Sequence, residues 1–200
     1  MQAIETKVLN RIYGYGRGTC FTPDRFLDYG SDEAIRKSLS RLAKDGIIRR
    51  ISKGIYEYPQ KHQELGIMPP NIESVVKAIS QRDHIQTQPS GAYAANLLGL
   101  SEQVPAKISY LTNGSSRKIK VGSKILVFKK TNNKALAVAG TTSGLIFEAL
   151  KFIGKDHIDT KTISSLRRKL SSKDRAQLIK DLKFAPIWMR HSLKEIAGTV

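Results

Sequence analysis

The chain predicts an α+β fold in two parts, and three observations carry that expectation. Residues 31–58, SDEAIRKSLSRLAKDGIIRRISKGIYEY, read as an amphipathic helix followed at once by a tight hairpin. Residues 59–70, PQKHQELGIMPP, mix prolines and polar residues with one glycine, the composition of a connector. Helix-period stripes follow, interrupted by three short strands with turns at Asn113-Gly114 and Gly122-Ser123. The expected organisation is one domain over residues 1–60, a linker over 61–70, and a second domain over 71–200 in which helices surround a small antiparallel sheet.

In the first part, Ile4, Val8, Leu9 and Ile12 give a helix over residues 2–13 its apolar face. Gly14, Gly16 and Gly18 break it. No strand precedes this G-Y-G-R-G run and no Gly-Lys-Ser/Thr follows, so it reads as a turn in which Arg17 is placed to touch a phosphate. Thr22 as N-cap, Pro23 at the first helical position and Asp24 in the first turn start a short second helix ending near Tyr29-Gly30. Ser31 caps a third, with Asp32 and Glu33 where the positive end of the helix dipole favours acids. Ile35, Leu39 and Leu42 form its core face, and Arg36, Lys37, Ser40, Arg41 and Lys44 its outer one. Asp45-Gly46 stops it, since glycine accepts the left-handed conformation that a helix end commonly needs. Strands over 47–51 and 55–58 then flank a turn at Ser52-Lys53-Gly54, closed by Pro59.

Helix, helix and basic hairpin in this order have the layout of a winged helix-turn-helix. In a major groove the base-edge candidates are Arg36, Lys37, Ser40 and Arg41, because Arg and Lys pair with guanine and Ser with several bases. The phosphate candidates are Arg17, Lys44, Arg49, Arg50 and Lys53. Any exposed helix of a basic protein carries such a face; here helix, stop, hairpin and charge agree over one stretch.

In the second part, Asn71 caps a helix with Ile72, Val75, Val76 and Ile79, and a short strand is expected over 84–88. Residues 90–98 form a small-residue helix ending at Gly99, and strands follow over 107–111, 117–121 and 124–130. Arg117, Lys118, Lys120, Lys124, Lys129, Lys130 and Lys134 gather on or near that sheet, a face that reads equally as solvated or as a surface for an anion or partner. From Thr141 a helix carries Leu145, Ile146, Ala149, Leu150 and Ile153 and ends at Gly154; 156–162 is a connection. Leu166 with Leu170, and Leu178, Ile179 and Leu182, mark two more helices, the second capped by Ser172. Pro186 begins a last one with Ile187, Leu193 and Ile196. Arg167, Arg168, Lys169, Lys173 and Arg175 are the densest basic cluster, open to solvation, flanking DNA contacts or an acidic partner.

A net charge of +17 with a pI near 10.1 implies a polyanionic or acidic partner, nucleic acid first. The charge is uneven: residues 1–60 carry 11 basic and 7 acidic side chains, the remainder 23 and 10. A lone Cys20 leaves no internal disulfide or cysteine zinc site and reads as a small core residue. No run approaches the roughly 18 apolar residues of a membrane span, and the N-terminus lacks a signal-peptide core, so a cytoplasmic location without membrane partners is expected. His62, His84, His157 and His191 show no metal spacing, Asp156, His157 and Asp159 read as a polar loop, and no nucleophile elbow or Walker loop exists. No catalytic residue, metal or cofactor is expected, and the chain reads as a binding protein, not an enzyme.

The runs GRGTCFTPDRF and GSDEAIRKSLSRLAKDGIIRRISKGIYEYP resemble the N-terminal winged helix of AbiEi-type antitoxins of type IV toxin–antitoxin operons and their DUF6088-like relatives. The shared features are the Gly-rich lead-in, the Phe-x-x-x-x-Phe helix, the x-Ala-x-x-x-x-Leu-x-x-Leu helix, and Gly-x-Ile-x-Arg with a Gly-x-Tyr wing. The segment PSGAYAANLLGLSEQVPAKISYLTNGSSRKIKVGSKILVFKK resembles the start of the antitoxin's second domain, so the likeness spans most of the chain. It implies an autorepressor that reads inverted repeats of double-stranded DNA in its own promoter; the sequence leaves open whether it is a monomer in solution that pairs on the DNA. It also implies a cognate toxin of the nucleotidyltransferase type, counteracted directly or indirectly by the second domain. The alternatives are a solitary winged-helix regulator without a toxin and, behind it, a nucleic-acid-processing enzyme. Replacing Arg36 or Arg41 with Ala is expected to relax base preference at a cost of about 1–3 kcal/mol where the lost contact is bidentate. Selection from a random duplex pool checks this; an unchanged preference removes those side chains from the readers.

Overall fold

The computed structural model describes residues 2–199 and has an α+β fold. They divide into two units, residues up to 85 with 119–124, and residues 86–118 with 125 onward. Among the described residues no helix is long and apolar enough to cross a membrane.

In the first unit, α1 (Gln2–Tyr15), a 3-10 helix (Pro23–Tyr29) and α2 (Asp32–Lys44) pack through the stripes that the pattern marks. Val8, Ile12, Phe26, Ile35 and Leu39 are fully buried, joined by Phe21, Leu42, Ile48 and Tyr56. Ser31 Oγ accepts the Ala34 N–H at 3.3 Å, and α2 ends as Asp45 N–H donates to the Arg41 carbonyl at 2.8 Å before Gly46 at φ 70°. The expected second helix is a 3-10 helix, and Thr22 stands at its N-cap without a side-chain capping bond. The strands β1 (Cys20–Phe21), β2 (Arg49–Ser52) and β3 (Ile55–Glu57) form an antiparallel sheet in the order β1-β3-β2. Cys20 and Arg49 both lie opposite Glu57, and a register irregularity falls between Arg50 and Ser52.

Residues 61–70, expected as a linker, hold a small hairpin, β4 (Lys61–His62) with β5 (Gly66–Ile67). The helix α3 (Ile72–Arg82), expected to open the second domain, belongs to the first unit. Its buried stripe of Ile72, Val75, Val76, Ala78 and Ile79 needs an apolar cover, and α3 packs on β1 and β3. The edge strand gains a partner as Cys20 N–H donates to Ser74 Oγ at 2.7 Å. The boundary therefore falls after residue 85.

The residues after 85 carry a four-stranded sheet in the order β6-β7-β9-β8, from β6 (Thr87–Ser90), β7 (Lys107–Thr112), β8 (Arg117–Val121) and β9 (Lys124–Lys130). It is mixed and not wholly antiparallel as expected: β6 runs antiparallel to β7, whereas β7 and β9 pair in parallel from Lys107↔Ile125 to Thr112↔Lys130. Composition explains the order. The apolar run of β9 buries Leu126 and Phe128 in a central place beside Ile108 and Tyr110, while the lysine-rich β8 takes one edge and β6, with Pro89, the other.

Helices α4 (Ala92–Leu97), α5 (Thr142–Ile153), α6 (Thr160–Lys169), α7 (Ser172–Asp181) and α8 (Arg190–Ala197) share one core. Ala94 and Ala95, fully buried, let α4 approach α5 closely. Ser171, one residue before the expected Ser172, caps α7 in a capping box with Asp174. Ile187, expected in an apolar stripe, is 82% exposed in a 3-10 turn ahead of α8. Buried Gln88 accepts the Gly140 N–H at 2.9 Å and so fixes the turn into α5. There Gly144 is packed so tightly that a Cβ would strike the Val138 carbonyl oxygen and lie 2.8 Å from Gln88 Oε1. Gly144→Ala, elsewhere in a helix a gain, is expected here to cost about 1–3 kcal/mol. A lowered thermal midpoint checks it; a raised one would mean that the turn yields.

Candidate nucleic-acid interface

Helical periodicity puts Arg36, Lys37, Ser40, Arg41 and Lys44 on the exposed side of α2, opposite buried Ile35, Leu39 and Leu42. Acids hold three of these cations: Asp32 Oδ2 accepts from Arg36 Nε at 2.5 Å, Lys37 Nζ stands 2.8 Å from Glu33, and Arg41 Nη1 stands 3.6 Å from Glu5 of α1. The Lys37 ammonium holds the Glu33 carboxyl below its usual range, and the Asp32 hydrogen bond raises the Arg36 guanidinium. Exposed pairs of this kind are weak and screened by solvent, so the cations stay available to a stronger anion.

On the hairpin, Arg50 and Lys53 are exposed, and Gly54 at φ 69° permits the tight turn. Arg49 is different. Successive strand residues face opposite sides, and Arg49 turns to the side where β3 buries Glu57 at 1% exposure. Its Nε donates to Glu57 Oε2 at 2.8 Å and its Nη2 donates to the same oxygen and, at 2.9 Å, to the Met68 carbonyl. Arg49, expected as a phosphate candidate, is thus engaged within the fold. Arg17 is exposed but anchored, with Nη1 donating to the Pro59 carbonyl at 3.0 Å and the guanidinium over the Tyr58 ring at 4.5 Å.

A cleft of about 400 Å³ opens among α2, the hairpin turn, the end of α3 and the start of the 3-10 helix, lined by Pro23, Asp24, Asp32, Arg36, Lys53, Gly54 and Arg82. Sequence reading missed Arg82 because composition assigned α3 to the other domain; the available signal was a basic residue in the last turn of a capped helix. Cys20 is buried, and that burial pushes its thiol up to about 12. Among the described residues no group of three or more His, Cys, Asp or Glu is placed to hold a metal ion.

The basic residues of the second part divide in use. Lys118, Lys129 and Lys130 are exposed, Arg117 stacks over the Phe128 ring at 5.1 Å, and Lys120 and Lys124 group with the first unit. In the dense cluster, Lys169 Nζ donates to the Leu98 carbonyl at the end of α4, and Arg175 Nη2 donates to the Arg167 carbonyl in the last turn of α6 at 2.8 Å. Those are helix-end carbonyls that otherwise lack partners. Arg168 and Lys173 are exposed.

Among protein-family models, one described as a family of unknown function, DUF6088, matches residues 7–178. No curated protein matches the sequence. For Arg49, replacement with Ala would strand the Glu57 carboxylate in the sheet and is expected to cost about 3 kcal/mol. Thermal unfolding measures it; an unchanged midpoint would mean that Glu57 finds water or another donor.

Proposed function

We propose, for a chain that belongs to the DUF6088 family of unknown function, that it is a sequence-specific binder of double-stranded DNA and that its first unit is a winged helix. The observation that carries this reading is the sequence of elements α1, β1, 3-10 helix, α2, β2, β3 with sheet order β1-β3-β2. Such an arrangement sets a helix with a cationic outer face beside a hairpin tipped by Lys53. In this reading Arg36, Lys37, Ser40 and Arg41 meet base edges, whereas Lys44, Arg50 and Lys53 lie along phosphates.

The resemblance to AbiEi-type antitoxins extends the proposal. The DNA is then the protein's own promoter, bound at inverted repeats in the cytoplasm to repress its operon, and the second unit counteracts a nucleotidyltransferase-type toxin. That extension stands on the sequence motifs, and it makes the chain a binding protein with no catalytic step of its own.

A gel-shift titration of the full-length protein on the DNA upstream of its gene and on a scrambled duplex, at fixed salt, tests the reading. Selective binding is expected; equal affinity for both would overturn sequence-specific recognition. Lys53→Ala should weaken both duplexes alike and lower the salt slope by about one. An unchanged slope would remove the hairpin tip from the phosphate contacts.

A further inference from the structure

The cleft beside α2 joins three cations from three elements: Arg36 from the first turns of α2, Lys53 from the hairpin turn and Arg82 from the last turn of α3. Arg82 is held in place. Its Nε donates to Asp83 Oδ1 at 2.7 Å and its Nη2 to Oδ2 at 3.2 Å, a two-point grip that fixes the guanidinium plane. The third nitrogen, Nη1, lies against the hairpin turn, 3.6 Å from where a Cβ on Gly54 would stand. Asp24 and Asp32 share the cleft, and Asp32 is already bonded to Arg36.

A helix seated in a major groove and a hairpin lying on the backbone leave a strand of phosphates running between them. This cleft is the gap between those two elements. Its volume of about 400 Å³ has room for a phosphodiester group with its neighbouring sugar atoms, at the small end of ligand sites. A guanidinium fork matches the paired oxygens of a phosphate better than an ammonium does.

We propose that the cleft seats a backbone phosphate of the bound duplex and that Arg82, outside the helix-turn-helix, is one of its ligands with Lys53, while Arg36 at the cleft's edge keeps its reach to the bases. The inference rests on the winged-helix reading and adds α3 to the interface. In the free protein Asp32 balances Arg36 and Asp83 balances Arg82, with Asp24 lining the same cleft; the phosphate is met by the Nη1 side of Arg82, which faces the hairpin turn.

The test is a salt series of binding isotherms with the full-length protein and labelled duplexes, the upstream DNA and its scrambled control. Arg82→Ala should lower the slope of log affinity against log salt by about one, from one lost phosphate contact. It should weaken both duplexes by the same factor. Arg82→Lys keeps the charge and should keep most of the slope, with a native circular dichroism spectrum in each variant.

A wild-type slope in Arg82→Ala, alongside a reduced one in Lys53→Ala, would overturn this inference and leave the winged-helix reading intact. Equal loss in Arg82→Ala and Arg82→Lys would make the side chain a brace for the hairpin turn, which also overturns it. If the wild-type protein binds no duplex, the reading and the inference fall together.

Discussion

A single buried carboxylate, Glu57, sets much of the geometry of the first unit. It sits on the middle strand at 1% exposure, opposite Cys20 on one side and Arg49 on the other. An unpaired carboxylate there would be costly, so Arg49 must turn inward to meet it. That same guanidinium reaches the Met68 carbonyl and thereby ties the segment after β5 to the sheet. With Arg49 committed to the inner side, strand alternation sends Arg50 to the outer one. The proposed interface thus depends on an ion pair held within the fold.

What the sequence makes legible is local. Ser31, Asn71 and the Asp45-Gly46 stop were readable because capping and left-handed glycine act within a few residues. The stripe Ile35, Leu39, Leu42 was readable for the same reason, and with it the exposed row on α2. The capping of α7 was off by one residue because Ser171 and Ser172 are adjacent hydroxyls; the reciprocal bond to Asp174 decides between them.

What was not legible depends on partners distant in sequence. Residues 59–70 have the composition of a linker, yet the backbone turns back into β4 and β5, and α3 finds its cover on β3 and on β1, the latter some fifty residues upstream, as the Cys20 to Ser74 bond records. The insertion of β9 between β7 and β8 likewise follows from which strand buries more apolar surface, a competition that turn residues do not reveal. Arg82 was hidden by the same boundary. The inward bonding of Arg49 was not legible because two adjacent arginines look alike until a strand assigns them opposite faces.

Net charge is for this reason a poor guide to where the proposed interface lies. The larger basic surplus sits after residue 60, but part of it is engaged within the fold, Lys169 and Arg175 on helix-end carbonyls and Arg117 over an aromatic ring. In the less basic first part Arg11 is consumed too, bonded to both oxygens of Asp28 at 2.7 Å. Reading base edges needs only a few donors held in register by a rigid helix, whereas surplus charge on mobile side chains raises affinity for every sequence alike. The exposed row of α2 meets the first requirement because a packed core fixes its backbone and weak i,i+4 pairs restrain its side chains without consuming them. Specificity in the proposed function therefore derives from the core residues Ile35, Leu39 and Leu42 as much as from the cations they orient.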